Sequence, residues 1–218
     1  MIRASDPDFA CRLELPGWRL VFADLALGEA FDRAVLDARL AAAEADLRHR
    51  FAGGDTTADP VLAALRDLFK AAGTSPSRYR PSSEALVRRV LKGDPLPRIQ
   101  PLVDLNNLVS IDTLCPACVM RPDTVHPPLV LRRGAAGEVV RGFKGELDLD
   151  GKPVLADREG PFGTPITDDH RVVLHAEHRE ALLVVYEPRA AAVGSAACLA
   201  GLANGLPGLA VGPARVFE

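Results

Sequence analysis

Ala181-Leu-Leu-Val-Val-Tyr186 is apolar at every position. A strand with one wet face alternates apolar and polar residues. An unbroken run of six, rich in β-branched side chains, instead marks a strand covered on both faces. Four more stretches of the second half read as strands: Leu129–Arg132, Glu138–Phe143, Pro153–Asp157 and Arg171–Leu174. Upstream the period is helical. After a short first strand over residues 16 to 25, a long Ala-rich helix is expected from Glu29 to about Arg50, with Glu29/Arg33 and Glu44/Arg48 four apart in the favourable order. Asp59-Pro60 is a helix start, an N-cap oxygen followed by a residue with no N–H to leave unpaired, and Gly73 is its stop. Another helix runs from Ser82 to Lys92 and stops at Gly93, and Asp104 is placed to cap a short one through Val109. Helices first and strands later predict an α+β fold, N-terminal helices packed on a mixed, largely antiparallel sheet, and not a wound parallel sheet.

Composition narrows the function classes. The chain has 218 residues, 48% apolar and 25% charged, which excludes a disordered chain or a disulfide mini-scaffold. Its formal charge of −3 gives no overall attraction to nucleic acid, so any RNA contact must come from a local patch. Met1-Ile-Arg-Ala-Ser-Asp carries charge and no apolar block, unlike a secretory signal. Residues 190 to 214 hold no charge, but 14 of them are Ala or Gly and only six are Val or Leu. Such a segment gains too little on leaving water to span a bilayer, and a packed helix followed by a glycine turn is expected, with no membrane partner. Four scattered cysteines suit a reducing compartment, so the expected location is the cytoplasm.

Phosphate loops, His-Glu-x-x-His and nucleophile elbows are absent from the sequence. Cys115-Pro-Ala-Cys118 has the spacing of a dithiol or of half a zinc site; two small buried side chains are the plainer reading, and no metal or cofactor is expected. His170, His175 and His178 read as loop or edge histidines. The clearest electrostatic feature lies between Arg78 and Arg98. Six bases (Arg78, Arg80, Arg88, Arg89, Lys92 and Arg98) stand there against Glu84 and Asp94, with Tyr79 among the first of them. Phosphate backbones bind such clusters, though a solvated cationic helix face has the same composition.

Leu102-Val-Asp-Leu-Asn106-Asn107-Leu-Val109, followed by Pro116, resembles a signature of the editing and tRNA-binding domain of the bacterial phenylalanyl-tRNA synthetase beta subunit (its third and fourth domains). Leu149-Asp-Gly151, Val154-Leu-Ala-Asp157, Pro161-Phe-Gly163 and Leu183-Val-Val-Tyr186-Glu187-Pro188 resemble later family motifs in the same order. The resemblance covers about residues 75 to 188 and implies a free-standing relative. In that reading one domain fills residues 1 to 218, a helical part to about 98 and an editing-domain-like core from about 99. It implies a pocket for the aminoacyl end of tRNA, or for a small amino-acid-like ligand, lined by Asn106, Asn107, Cys118 and Gly163. A family Glu falls on Tyr186 or Glu187, depending on alignment by one residue, and the family His falls on Cys118. Asp104, Asp157 and Asp168 are candidates to orient a water, the first two with a competing role in capping and turn closure. No catalytic residue is assigned. The expected function is a tRNA-binding, editing-like domain that hydrolyses mischarged aminoacyl esters, with tRNA phosphates on the basic segment. The alternative is a non-catalytic module that binds an amino-acid-like ligand and never meets RNA.

Overall fold

A computed structural model describes residues 1–143 and 145–218. The apolar run becomes β9 (Glu180–Pro188), flanked by β2 (Trp18–Leu27) and β3 (Ala117–Met120). All neighbours in this central sheet are antiparallel, in the order β10 (Leu209–Val211), β2, β9, β3, and β11 (Arg215–Phe217) also pairs with β2. A second sheet places β1 (Cys11–Leu13), β4 (Leu129–Arg133), β7 (Pro153–Asp157) and β8 (Gly160–Gly163) side by side; only β1 and β4 run parallel. A hairpin of β5 (Val139–Gly142) and β6 (Gly145–Asp148) stands apart. The α+β class and the mixed, mostly antiparallel pairing agree with the sequence reading.

The period of two along β9 explains its lack of polar residues. Ala181, Leu183 and Val185 pack into a layer of helices, while Leu182, Val184 and Tyr186 face the second sheet. The partner β2 does the same, Val21, Ala23 and Leu25 toward the helices and Leu20 and Phe22 toward the second sheet. Aromatics fill the inter-sheet layer: Phe9 meets Phe22 edge-on at 5.0 Å, and Trp18 lies 6.2 Å from Phe69 and 6.5 Å from Tyr186.

Cap chemistry sets the helix limits. In α2 (Pro60–Ala72) the Asp59 carboxylate accepts from the N–H groups of Val61 and Leu62, and Gly73 ends the helix at φ 95°, a left-handed turn that favours glycine. Helix α1 (Arg33–Arg50) starts later than the expected Glu29, because Asp32 accepts the Ala34 N–H at 2.8 Å and closes the first turn there. Arg33 therefore pairs forward, with Asp37 at 3.0 Å and with Asp104 at 2.7 Å, while the expected Glu44–Arg48 pair forms at 3.6 Å. Helix α3 covers Ser82–Leu91. Helix α4 (Pro101–Thr113) is capped by Gln100, not Asp104, and runs four residues past Val109. Asp104 sits one turn in, reaching back to the Ile99 N–H at 2.9 Å.

One expected strand is absent. Arg171–Leu174 is not a strand but follows from a 3-10 turn, His170–Val172, capped by Asp169. Val172 and Leu174 are buried all the same, and their alternation is what imitates a strand. The central sheet joins early and late parts of the chain, β2 pairing with β9 over nine positions. Residues 190 to 214 do form a packed helix, α5 (Ser195–Gly205), then a turn at Gly208 with φ 74°. Among the described residues no helix is long and apolar enough to cross a membrane.

Candidate functional site

Cys118 on β3 and Tyr186 on β9 point from the central sheet toward the second one. Facing them, Gly163 ends β8 and forms a bridge with Asp168. Thr164 makes this approach possible. Its hydroxyl accepts the N–H groups of Ile166 at 3.0 Å and Thr167 at 2.9 Å and donates to the Thr167 carbonyl at 2.7 Å, closing a turn that returns Asp168 beside Gly163. A Cβ on Gly163 would lie 3.2 Å from Asp168 Oδ1 and 3.3 Å from the Tyr186 hydroxyl. Neither oxygen touches solvent and neither makes a hydrogen bond, although the Cys118 thiol reaches the same Asp168 carboxyl. Buried polar atoms are rarely left so, and those that are need a reason.

Burial governs the protons of this cluster. It lifts the Asp168 carboxyl to about 7, opposed by the nearby Cys118 thiol and the Thr164 N–H. Burial, then the negative charge of Asp168, pushes the Cys118 thiol well above its ordinary range. The Tyr186 phenol rises for the same first reason, then through Cys118 and Asp168. At neutral pH the thiol and phenol are therefore uncharged donors and the carboxyl is poised to exchange a proton. That suits a general base and a hydrogen-bond donor side by side, and not a thiolate nucleophile.

Of the residues expected to line a pocket, the structure brings Cys118, Gly163 and Tyr186 together, with Asp168. Asn106 and Asn107 stand on α4, whose Leu105, Leu108 and Val109 pack on the opposite, helical side of the central sheet. Asn107 is buried there, and Asn106 Oδ1 is out of solvent and unpartnered. Between the two alignments of the family Glu, Tyr186 faces the cluster and Glu187 does not. Glu187 accepts the N–H of Ser195 at 3.1 Å and pairs with Arg19 at 3.5 Å. Asp157 is also occupied: Arg171 grips both oxygens at 3.0 and 3.1 Å, and the N–H groups of His126 and Glu159 donate to it at 2.8 and 2.9 Å. Both carboxylates hold the fold. The Thr164–Thr167 turn was the missed element, and the signal was present in Thr-Pro-Ile-Thr-Asp168, a hydroxyl turn followed by an acid.

The two thiols of Cys115-Pro-Ala-Cys118 do not act as a pair. Cys115 packs into the helical layer and Cys118 into the inter-sheet layer, so the sheet separates them. Among the described residues no three His, Cys, Asp or Glu side chains gather to hold a metal ion. A cleft of about 320 Å³ opens elsewhere, between Ile2, Pro122, His126 and Arg158, and includes none of the expected residues.

The basic segment is partly neutralised. Glu84, buried and 1% exposed, takes Arg66 at 2.7 Å, Arg80 at 3.4 Å and Arg88 at 3.7 Å. Arg98 pairs with Glu44 at 3.1 Å and Asp37 at 3.5 Å. Arg78 lies over the Tyr79 ring at 5.1 Å, and Arg89 donates to the Pro95 carbonyl at 2.6 Å. With Lys92, also exposed, these last two keep their charge free of carboxylates among the described residues.

Residues 64–192 match the model of the B3/4 domain. Among solved structures, an N-terminal fragment of the phenylalanyl-tRNA synthetase beta subunit from Pyrococcus horikoshii is similar at 14% identity and a TM-score of 0.41. The match covers 84% of this chain and 44% of the fragment, so the chain spans less than half of that neighbour. No curated protein matches the sequence. With well over half of its length matched, the chain belongs to the B3/4 domain family, the domain found in the phenylalanyl-tRNA synthetase beta subunit.

Proposed function

We propose that this protein is an editing-like domain that receives the aminoacyl end of tRNA and hydrolyses its ester. The observation that carries the reading is the pair of unpartnered buried oxygens, Asp168 Oδ1 and the Tyr186 hydroxyl, meeting beside Gly163. Ester hydrolysis needs a water, a base to take its proton and a donor for the developing oxyanion. Asp168, lifted to about 7, is a base matched to neutral pH. Water attacks the ester carbonyl as its proton passes to Asp168, and the phenol of Tyr186 donates to the carbonyl oxygen as it gains charge. Collapse of the tetrahedral intermediate breaks the bond to the ribose oxygen, which takes the proton back from Asp168. Arg78, Arg89 and Lys92 supply the phosphate contacts.

Deacylation of a panel of mischarged tRNAs tests this. The wild-type protein should release at least one amino acid, Asp168→Asn should lose most of that rate, and Arg89→Glu with Lys92→Glu should weaken tRNA binding and lower its salt dependence. A folded wild-type protein that binds none of the panel removes the reading. The second reading, a small-ligand module without catalysis, is favoured by the internal pairing of Arg80, Arg88 and Arg98. It predicts binding of a free amino acid with no turnover and no tRNA affinity.

A further inference from the structure

Lys152 is 5% exposed, yet among the described residues it has no carboxylate within ion-pair distance. Its ammonium donates to the Asp150 carbonyl at 3.3 Å and lies 4.2 Å from the centre of the Tyr79 ring. The same ring carries the guanidinium of Arg78 at 5.1 Å. A third cation completes the group. The Arg133 guanidinium packs against Gly73, where any Cβ would collide with it, and lies 3.4 Å from where a Cβ on Gly151 would stand. The two loops are joined directly, since the Thr74 hydroxyl donates to the Gly151 carbonyl at 2.9 Å. Neighbouring bases differ: Arg66, Arg80 and Arg132 each have a carboxylate.

A buried ammonium loses its hydration, and one carbonyl and one aromatic face restore only part of it. An anion is the group that offsets such a charge. Three cations, Arg133 of β4, Lys152 just before β7 and Arg78 of the loop before α3, stand around the joined Gly73 and Gly151 loops, two of them exposed and one buried. Forked guanidinium donors with a point-charge ammonium are the groups that grip a phosphoryl group. Tyr79, half-buried, offers a ring edge or face to whatever the phosphate carries. We infer that Arg78, Arg133 and Lys152 form a phosphate-binding site around Tyr79. The loop continues to Ser82, whose N–H donates to the Pro165 carbonyl at 2.9 Å, in the turn that carries Asp168. The site goes beyond the proposed hydrolytic cluster and stands whether or not that cluster turns over.

Thermal unfolding of the whole chain in inorganic phosphate, against chloride at equal ionic strength, reads the site without tRNA. Phosphate should raise the midpoint, and AMP should raise it further at equal concentration. Lys152→Met should abolish the phosphate response while itself unfolding at the wild-type temperature or above, because it replaces an uncompensated buried charge with a methylene chain. Arg78→Gln, at an exposed position, should weaken phosphate binding about tenfold and leave the fold intact. A five-nucleotide RNA that binds more tightly than AMP identifies a polynucleotide backbone as the source of the phosphate; the reverse order identifies a free nucleotide. Equal midpoints in phosphate and chloride, or phosphate responses unchanged in Lys152→Met and Arg78→Gln, overturn the inference. A loss of deacylation with the phosphate response intact would fall on the proposed function alone.

Discussion

Buried acids on the two faces of the central sheet are treated in opposite ways, although unbonded amide and hydroxyl oxygens such as Asn106 Oδ1 occur on the helical side as well. On the helical side each buried acid has its partner: Glu187 holds Arg19 and the start of α5, Asp104 holds Arg33, and Glu44 holds Arg48 and Arg98. On the inter-sheet side, Asp168 Oδ1 and the Tyr186 hydroxyl meet with no partner, beside a thiol held neutral by burial. Removing one member of a satisfied buried pair leaves an uncompensated charge, whereas removing an unsatisfied atom removes a cost. The first kind of residue therefore belongs to stability. The second costs stability where it stands, which is why the proposed chemistry is placed there.

The contrast breaks most visibly at Asp157, a satisfied carboxylate with a fully buried side chain. Asp157→Ala takes the bidentate carboxylate from Arg171, which keeps Glu159 at 3.2 Å, and leaves two backbone N–H groups without their acceptor. It should lower stability by about 3 kcal/mol, a fall in melting temperature of about 10 °C. Calorimetry checks it, and a loss under about 1 kcal/mol would mean that Glu159 alone suffices for Arg171.

Asp168 should behave in the opposite sense. Its carboxyl is raised to about 7 in the fold from about 4 in the unfolded chain, so the folded state holds the proton more tightly. Its contribution to stability is complete below about pH 4 and is lost as pH rises to about 7. Denaturant titrations from pH 4 to 8 should show wild-type stability falling relative to Asp168→Asn across that window. A constant difference between the two proteins would place the Asp168 carboxyl in water.

What the sequence made legible was local. Asp59-Pro60 and Gly73 announce α2 because cap and stop act within four residues, and the run Ala181–Tyr186 announces a twice-covered strand because no polar residue interrupts it. The family motifs, too, are short and ordered. Lost from view were the relations across the sheet. Cys115 and Cys118 are three apart in sequence yet enter different layers, and the asparagine doublet stands on the helical side while Gly163 faces Tyr186. Charge counting failed for the same reason. Glu84 draws in Arg66 from 18 residues away, and Glu44 takes Arg98 from 54 away, so the free cations are fewer than the composition suggests.

Gly163 sharpens the comparison by steric means. Its Cβ would press on Asp168 Oδ1 and on the Tyr186 hydroxyl, while meeting Leu155 at an ordinary 4.0 Å. Gly163→Ala should cost about 1–3 kcal/mol as the neighbours shift. Combined with Tyr186→Phe, which withdraws the oxygen, part of that loss should return, and a coupling of about 0.5 kcal/mol or more in a double-mutant cycle would show that the contact is direct.

The smallest effect is the most discriminating. Tyr186→Phe alone removes an oxygen that is buried and unbonded, while the ring keeps its edge-on contact with Trp18. The desolvation already borne by that oxygen is not recovered by any bond in the fold, so its removal should leave stability unchanged or raise it by about 1 kcal/mol or less. A satisfied phenol would behave differently, and a loss above about 1 kcal/mol would show that the hydroxyl is bonded in the resting protein, to Asp168 by proximity. Ligand affinity should move the other way. If the hydroxyl is held free for the aminoacyl end, the same variant loses binding or turnover while its melting temperature stands, and none of the paired acids on the helical side should separate the two measurements in that manner.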